Sequence, residues 1–163
     1  ITPAIREGHM QCHLAAVTDA LSVCAIVPAA DHSPPPVATN KGVGTDNVSI
    51  FRNGGHQAMF IVTKAGVIAT DPIAYGRPTV GQTYVDEIKK ITSKPIKYLI
   101  YSHHHYDHIA GGKAFKDAGA RIIAHKRVKE RLAPLGDPNT PLPDESFGDK
   151  KVIQLGGTTL DLL

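Results

Sequence analysis

Residues 96–109 read IKYLIYSHHHYDHI. The first six of these residues are mostly apolar, with few polar breaks, which predicts a strand covered on both faces. Four of the chain's nine His residues then fall within 103–108, together with Asp107. Because ligand crevices form at the carboxyl ends of strands in open α/β sheets, this stretch predicts both a sheet and a site at its edge.

The histidine-rich turn has the residue types and the spacing of a metal site. His103 and His105 are separated by one residue, so in an extended chain their imidazoles point the same way and can meet at one cation. Asp107 and His108 follow where the chain turns into a helix, and they can project toward a second cation close to the first. Imidazole and carboxylate donors suit Zn²⁺ and also accept Fe or Mn. We therefore expect a metal site here; the alternative is an exposed His-rich turn without a ligand role.

The segments around this motif predict a mixed sheet with helices. Residues 47–52, 56–63 and 67–71 are β-rich and are separated by short loops containing Gly, which predicts an antiparallel meander. Residues 81–92 have helical periodicity, with Ile91 on the apolar face. The remaining elements are predicted as a strand at 96–101, a helix through 110–118, a strand at 121–124, a helix at 126–135, and strands at 151–155 and 158–163. The order strand, helix, strand implies a largely parallel region joined to the meander.

The chain divides into a leader, a tether and one domain. Residues 1–30 contain an apolar stretch that is too short for a stable membrane anchor and is typical of a signal peptide, although a loosely packed leader is the alternative. Residues 31–46 are rich in Pro, Gly and small polar residues, which predicts an extended tether. The domain at 47–163 contains no Cys. We expect a periplasmic or secreted protein, or a cytoplasmic one if 1–30 is not an export signal.

The composition excludes several classes of protein. The chain of 163 residues is 42% hydrophobic and 20% charged, which is typical of a globular domain and not of a disordered chain. Lys and Arg outnumber Asp and Glu by only 18 to 15, and the excess is scattered. A nucleic-acid site needs a concentrated basic face. No nucleic-acid partner is therefore expected, and a small-molecule substrate is favoured.

The pattern His103-x-His105-x-Asp107-His108 resembles the HxHxDH signature of the metallo-β-lactamase-fold hydrolases. The resemblance covers the predicted domain, roughly the amino-terminal half of a family member. It implies an α/β fold, the truncated half of an αββα sandwich with a mixed sheet. It also implies that His103 and His105 hold a first zinc and that Asp107 and His108 hold a second. The family's acidic residue after an early strand matches Asp71, which would support the loop and orient a ligand.

The same resemblance implies a zinc-dependent hydrolase in which a metal-bound hydroxide attacks an acyl, ester or phosphoryl centre. Asp107 would be the catalytic residue that orients the nucleophile or carries its proton. Two alternatives stay open: an iron-binding redox member of the same fold, and a non-enzymatic metal-binding module. Complete family members add ligands from their carboxyl-terminal half, whereas no His follows His125 here. We therefore expect an incomplete fragment with little activity alone.

The other histidines of the domain carry no prediction of a metal ligand. His56 lies at a predicted hairpin and His125 at the end of a predicted strand, where ordinary surface histidines are common. His104 occupies a variable position of the motif and is expected to line the site.

Overall fold

The main layer of the protein is a seven-stranded mixed sheet. The computed structural model describes residues 37–163, so the predicted leader and residues 31–36 of the tether lie outside the described residues. The strands follow one another across the sheet in sequence order. They are β1 (Val37–Lys41), β2 (Val48–Asn53), β3 (His56–Val62), β4 (Val67–Thr70), β5 (Ile96–Tyr101), β6 (Arg121–His125) and β7 (Glu145–Phe147). Strands β1 to β4 pair antiparallel and β4 to β7 pair parallel, which confirms the predicted mixed sheet.

Helices connect the parallel strands, and a hairpin follows the last of them. The helices are α1 (Val80–Ile91), α2 (Tyr106–Ile109), α3 (Lys113–Asp117) and α4 (Lys126–Leu132), with a 3₁₀ turn at Ala133–Leu135. Strands β8 (Lys151–Leu155) and β9 (Thr158–Leu162) form a separate antiparallel hairpin. Within residues 37–163, no helix has the length and apolar character that a bilayer crossing requires.

Alternating residues of the strands divide the core between two faces of the sheet. On the helix face, Tyr84 of α1 stacks on Phe51 with ring centroids 4.1 Å apart and meets Phe115 of α3 edge-on at 5.1 Å. The hairpin face instead joins Ile residues of the sheet to Ile153 of β8. Those sheet residues are Ile61, Ile68, Ile100 and Ile123. The helices thus cover one face and the β8–β9 hairpin packs on the other.

The predicted tether is partly wrong, because residues 37–41 form the edge strand β1. This strand pairs along its whole length with β2. The Thr39 hydroxyl also donates a hydrogen bond to Glu87 Oε2 of α1 at 3.0 Å. An unpaired strand edge offers a row of backbone donors and acceptors, so a short polar segment can add to it without a hydrophobic pattern of its own.

The helix predicted through 110–118 is shorter in the structure, because α2 ends at Ile109 and α3 covers only Lys113–Asp117. The break occurs at Gly111, whose φ of 92° is incompatible with a continuing right-handed helix. Gly112 then packs so closely on Tyr101 that a Cβ atom would overlap the phenol hydroxyl. In α1, Ile91 is half exposed, not buried as its spacing suggested. Strand β7 was not predicted at all, because three residues carry too little periodicity.

Candidate metal centre

The histidine motif lies between strand β5 and helix α2. Strand β5 ends at Tyr101, and His105, in an extended conformation, is the residue that precedes α2. Asp107 and His108 therefore lie in a single helical turn, whereas His103 lies in the loop before it. Since β4, β5 and β6 are parallel, the motif stands at the carboxyl edge that these strands share. This is the edge that the sequence predicted for the site.

Three of the motif's imidazoles are neighbours. The ring centroid of His103 lies 4.8 Å from that of His105 and 4.5 Å from that of His108. His105 is the most exposed of the three, and its ring centroid lies 4.9 Å from that of His104, which is also exposed. One donor atom each from Asp71, His103 and His108 lie within 4.8 Å of one another. The structure thus groups Asp71 with His103 and His108, whereas the predicted ligands His105 and Asp107 lie outside this group of three.

Asp71 is held firmly at the end of β4. Its side chain is 8% exposed. Oδ1 accepts the Ser102 backbone N–H at 2.8 Å, and Oδ2 accepts the Ser102 hydroxyl. His108 Nδ1 lies 3.6 Å from the same Oδ2, which leaves the opposite nitrogen, Nε2, toward Asp107. A carboxylate behind an imidazole orients the ring and fixes which nitrogen is free for a cation.

The loop after Asp71 is strained and is pinned to the motif. Asp71 and Ile73 have φ values of 33° and 48°, in the left-handed region that residues with a Cβ rarely adopt. The Ile73 N–H donates to His108 O at 2.8 Å, and the Ala74 N–H donates to Ala110 O at 3.1 Å. Strain of this kind persists only where surrounding contacts hold it. Two backbone hydrogen bonds to α2 and its end supply such contacts.

Asp107 is the most accessible of the candidate carboxylates, with 45% of its side chain exposed. Its Oδ2 lies 3.8 Å from His108 Nε2 and 3.3 Å from His56 Nε2. Desolvation raises the pKa of Asp107, but its own backbone N–H, the His56 hydrogen bond and the two imidazoles lower it, and the net shift is downward. The carboxylate form that a cation needs is therefore favoured.

His56 is the residue at this site that sequence reasoning missed. It opens β3, directly after the turn that links β2 to β3, and it was expected to be an ordinary surface histidine. The hairpin brings it to Asp107, 51 positions along the chain. Its ring meets that of His108 edge-on, with centroids 6.0 Å apart. The sequence predicted that His56 lies at the end of a hairpin loop. No pattern in the neighbouring residues indicated that this loop would face the histidine motif.

His125 and Tyr106 lie outside the cluster. His125 precedes α4, where its Nδ1 accepts the Arg127 backbone N–H at 3.1 Å, so it serves as a helix cap. Tyr106 turns away from the imidazoles and donates its hydroxyl to Asp137. It lines an open cavity of about 500 Å³ together with Tyr75 and Arg77. None of the predicted metal ligands lines this cavity.

Comparisons with known proteins agree with this architecture. The metallo-beta-lactamase superfamily model matches residues 78–161. Over 80 residues, the chain is 36% identical to a hydroxyacylglutathione hydrolase from Pelagibacter ubique, a match that covers 45% of this chain and 33% of the relative. Over 62 residues, it is 37% identical to a linear primary-alkylsulfatase from a Pseudomonas species, covering 34% of this chain and 12% of the relative.

Solved structures show the same fold at low sequence identity. A metallo-β-lactamase from Pontibacter korlensis superposes with a TM-score of 0.64 and 19% identity, over 77% of this chain and 59% of that chain. A mutant metallo-β-lactamase from Legionella gormanii gives 0.61 and 22%, over 80% and 53%. The chain thus spans a third or less of the curated relatives and little more than half of these structures. Since the matching family model covers just over half of the chain, the chain belongs to the metallo-β-lactamase superfamily.

Proposed function

We propose that this chain belongs to a zinc-dependent hydrolase of small molecules and carries part of its metal site. In this proposal His103 and His105 bind one zinc, and Asp107 and His108 bind another. The observation that carries it is the convergence of imidazole and carboxylate donors at the carboxyl edge of β5. Iron and manganese accept the same donors, so metal analysis of the purified chain is part of the test.

One pair of donors supports a shared zinc ion. Bonds of about 2.0–2.1 Å in a tetrahedral site place neighbouring donors roughly 3.3 Å apart. Asp107 Oδ2 and His108 Nε2 are 3.8 Å apart, and small side-chain rotations would close the difference. His108 already has Asp71 behind its other nitrogen, at 3.6 Å. These distances support the assignment of Asp107 and His108 to one cation.

The residues have distinct tasks in the proposed reaction. When bound, zinc acts as a Lewis acid and lowers the pKa of water to about 7, which makes a nucleophile available at neutral pH. Asp107 is accessible and is favoured as a carboxylate, so it can orient that nucleophile and accept its proton. Asp71 acts indirectly, by fixing the ring of His108.

The substrate class is proposed as an acyl, ester or phosphoryl compound of low molecular weight. One relative is named as a hydrolase of hydroxyacylglutathione and another as an alkylsulfatase. Both names describe hydrolysis of small organic molecules. Because the chain spans only part of each relative, their particular substrates are not carried over to it.

Zinc binding by the 163-residue chain is the primary test. We expect saturable binding in competition with a chromophoric chelator, and loss of binding in a variant with both His103→Ala and His108→Ala. The control is His125→Asn, which removes an imidazole elsewhere but keeps a cap acceptor for Arg127. A chain that binds no zinc, or a double variant that binds it normally, would contradict the proposal.

Turnover by the same chain should be slow. The proposed site gives each of the two cations two protein donors, whereas a typical catalytic zinc site has three. We therefore expect rates near background on a panel of ester, thioester, lactam, sulfate-ester and phosphodiester compounds. Rapid turnover that a chelator abolishes would mean that the ligand set is more complete than proposed.

Export is a separate part of the proposal. The apolar stretch within residues 1–30 supports a cleaved signal peptide and a periplasmic or secreted location. Amino-terminal sequencing of the chain expressed with this segment should find a start near residue 31. An intact amino terminus and a cytoplasmic fraction would contradict export without affecting the metal site.

A further inference from the structure

The β2–β3 hairpin contributes a side chain to the edge of the metal centre. His56 is 35% exposed and its Nε2 lies 3.3 Å from Asp107 Oδ2. The same Oδ2 lies 3.8 Å from His108 Nε2. Asp107 therefore stands between two imidazoles, one from its own helix and one from a hairpin remote in sequence.

The two nitrogens of His56 have very different surroundings. Nδ1 is buried and, among the residues that the structure describes, has no hydrogen-bond partner. If Nδ1 carried the proton, a buried N–H would stay unpaired, and the bare Nε2 would face the lone pairs of a carboxylate. If Nε2 carries it, an N–H donates to Asp107 and only a bare nitrogen is left unpaired. The second tautomer costs less free energy.

This tautomer determines what His56 can do. A nitrogen that donates to Asp107 has no lone pair for a cation. Histidines that bind metals almost always donate their other N–H to a carboxylate or carbonyl. His108 has Asp71 beside its Nδ1, whereas no described residue accepts from Nδ1 of His56. The two histidines therefore have different roles, although both face Asp107.

We propose that His56 is a positioning residue, which donates its Nε2–H to Asp107 and holds that carboxylate beside His108. It is not itself a metal ligand. The inference rests on the proposed function, since it assigns a role within the same zinc site. A carboxylate oxygen has lone pairs for both a hydrogen bond and a cation, so Oδ2 can serve both.

Nitrogen-15 NMR of the His56 ring tests the inference directly. We expect a protonated Nε2 and a bare Nδ1 in the metal-free chain, with the same pattern after zinc is added. A proton on Nδ1 in the metal-free chain would overturn the proposal. Loss of the Nε2 proton on zinc binding would also overturn it, because His56 would then be a ligand. The metal-free measurement keeps its meaning even if the chain binds no zinc and the proposed function fails.

Two variants separate the hydrogen bond of His56 to Asp107 from the space that its side chain fills. His56→Gln keeps an N–H near the place of Nε2, whereas His56→Leu removes the donor. Loss of a residue that orients a ligand typically weakens metal affinity 10–100-fold. We expect a loss of that size for His56→Leu and affinity within about threefold of the parent for His56→Gln, with His125→Asn unchanged. If His56→Leu binds zinc as the parent does, or if His56→Gln and His56→Leu lose affinity equally, the inference is wrong.

Discussion

The two faces of the seven-stranded sheet use neighbouring residues of the same strands, yet they are covered in different ways. The helix face buries aromatic side chains from five elements, centred on Tyr84 between Phe51 and Phe115. The hairpin face buries Ile side chains under β8 and β9, and Val152 and Leu163 near this hairpin stay exposed. On strand β6, Ile122 belongs to the first face and Ile123 to the second.

The difference shows where the site gets its rigidity. The motif continues into α2, and α2 and α3 pack on the helix face through Ile109 and Phe115. Asp71 follows β4, whose next loop is hydrogen-bonded to the end of α2. The donors of the site are thus supported from the aromatic side of the sheet. The following predictions test this asymmetry, in order of decreasing effect.

Removing the central aromatic contact should give the largest loss of stability. Phe115 is fully buried and meets Tyr84 edge-on. We expect Phe115→Ala to lower the free energy of unfolding by about 3–5 kcal/mol, since a large cavity opens where no side chain can collapse. Urea denaturation at pH 7 measures this. A loss below about 1 kcal/mol would mean that the helix face is not the firmer one.

A matched pair on one strand compares the two faces directly. Ile122 and Ile123 are both fully buried. Substitution of either by Ala should cost about 2–5 kcal/mol. We expect the loss for Ile123→Ala to be nearer the lower end, because the two-stranded hairpin above it can move into the cavity. Equal losses in urea denaturation, or a larger one for Ile123→Ala, would contradict the comparison.

A glycine next to the motif connects stability with metal affinity. Gly112→Ala should cost about 1–3 kcal/mol, because its Cβ overlaps the Tyr101 hydroxyl and forces a shift. Tyr101 ends β5 just before the motif, so zinc affinity should fall as well. The control is Gly119→Ala, where φ is 89° but no atom lies within 4 Å of a Cβ. That variant should lose stability through backbone strain and keep its zinc affinity.

Acid and salt should separate a hydrogen bond with one charged partner from an ion pair with two. Asp137 accepts hydrogen bonds from the Tyr106 hydroxyl, from Thr140 and from the Asn139 backbone N–H. The Tyr106 bond has the largest effect, and together the bonds outweigh desolvation and keep the pKa of Asp137 below its usual value. The hydrogen bond from Lys151 likewise keeps the pKa of Glu145 below its usual value, against the effect of desolvation. The positive charges of Lys151 and Arg121 lower this pKa further. A carboxyl with a lowered folded-state pKa adds stability above its unfolded pKa of about 4, and this is lost as pH falls through the folded pKa.

Both contacts should therefore weaken below about pH 4, but only one should respond to salt. We expect Tyr106→Phe and Lys151→Met each to reduce the loss of stability on acidification. High salt at pH 7 should screen the ion pair between Lys151 and Glu145 and leave the hydrogen bond between Tyr106 and Asp137 almost unchanged. Unfolding curves at two salt concentrations measure this. Equal salt sensitivity in both variants would remove the distinction.

The sequence predicted elements whose signal is local and missed those that depend on a partner. Strands β2 to β6 carry their own apolar patterns, and the bounds of β5 at Ile96–Tyr101 were predicted without error. β1 and β7 have five and three residues, and they are strands because a neighbouring edge pairs with them. The break at Gly111 likewise depends on a positive φ that spacing alone does not reveal.

In the candidate site too, the residues with a local pattern were predicted and the residue that depends on a distant partner was missed. The spacing of His103, His105, Asp107 and His108 indicated a shared position at a sheet edge, and their neighbouring rings follow from a loop and one helical turn. Their assignment as ligands stays a prediction. His56 reaches Asp107 only because the β2–β3 hairpin folds toward the same edge. A contact across 51 positions leaves no periodic trace in a single sequence.

The strained loop at residues 71–74 has a consequence for protein design. Its backbone hydrogen bonds to His108 and Ala110 make the loop and the motif two parts of one rigid support. A designer who grafts only the six residues of the motif onto another sheet would leave behind Asp71 and Ile73, the two left-handed residues of the loop. The smallest transferable unit is therefore a pair of segments from adjacent parallel strands, and a host scaffold must accept both.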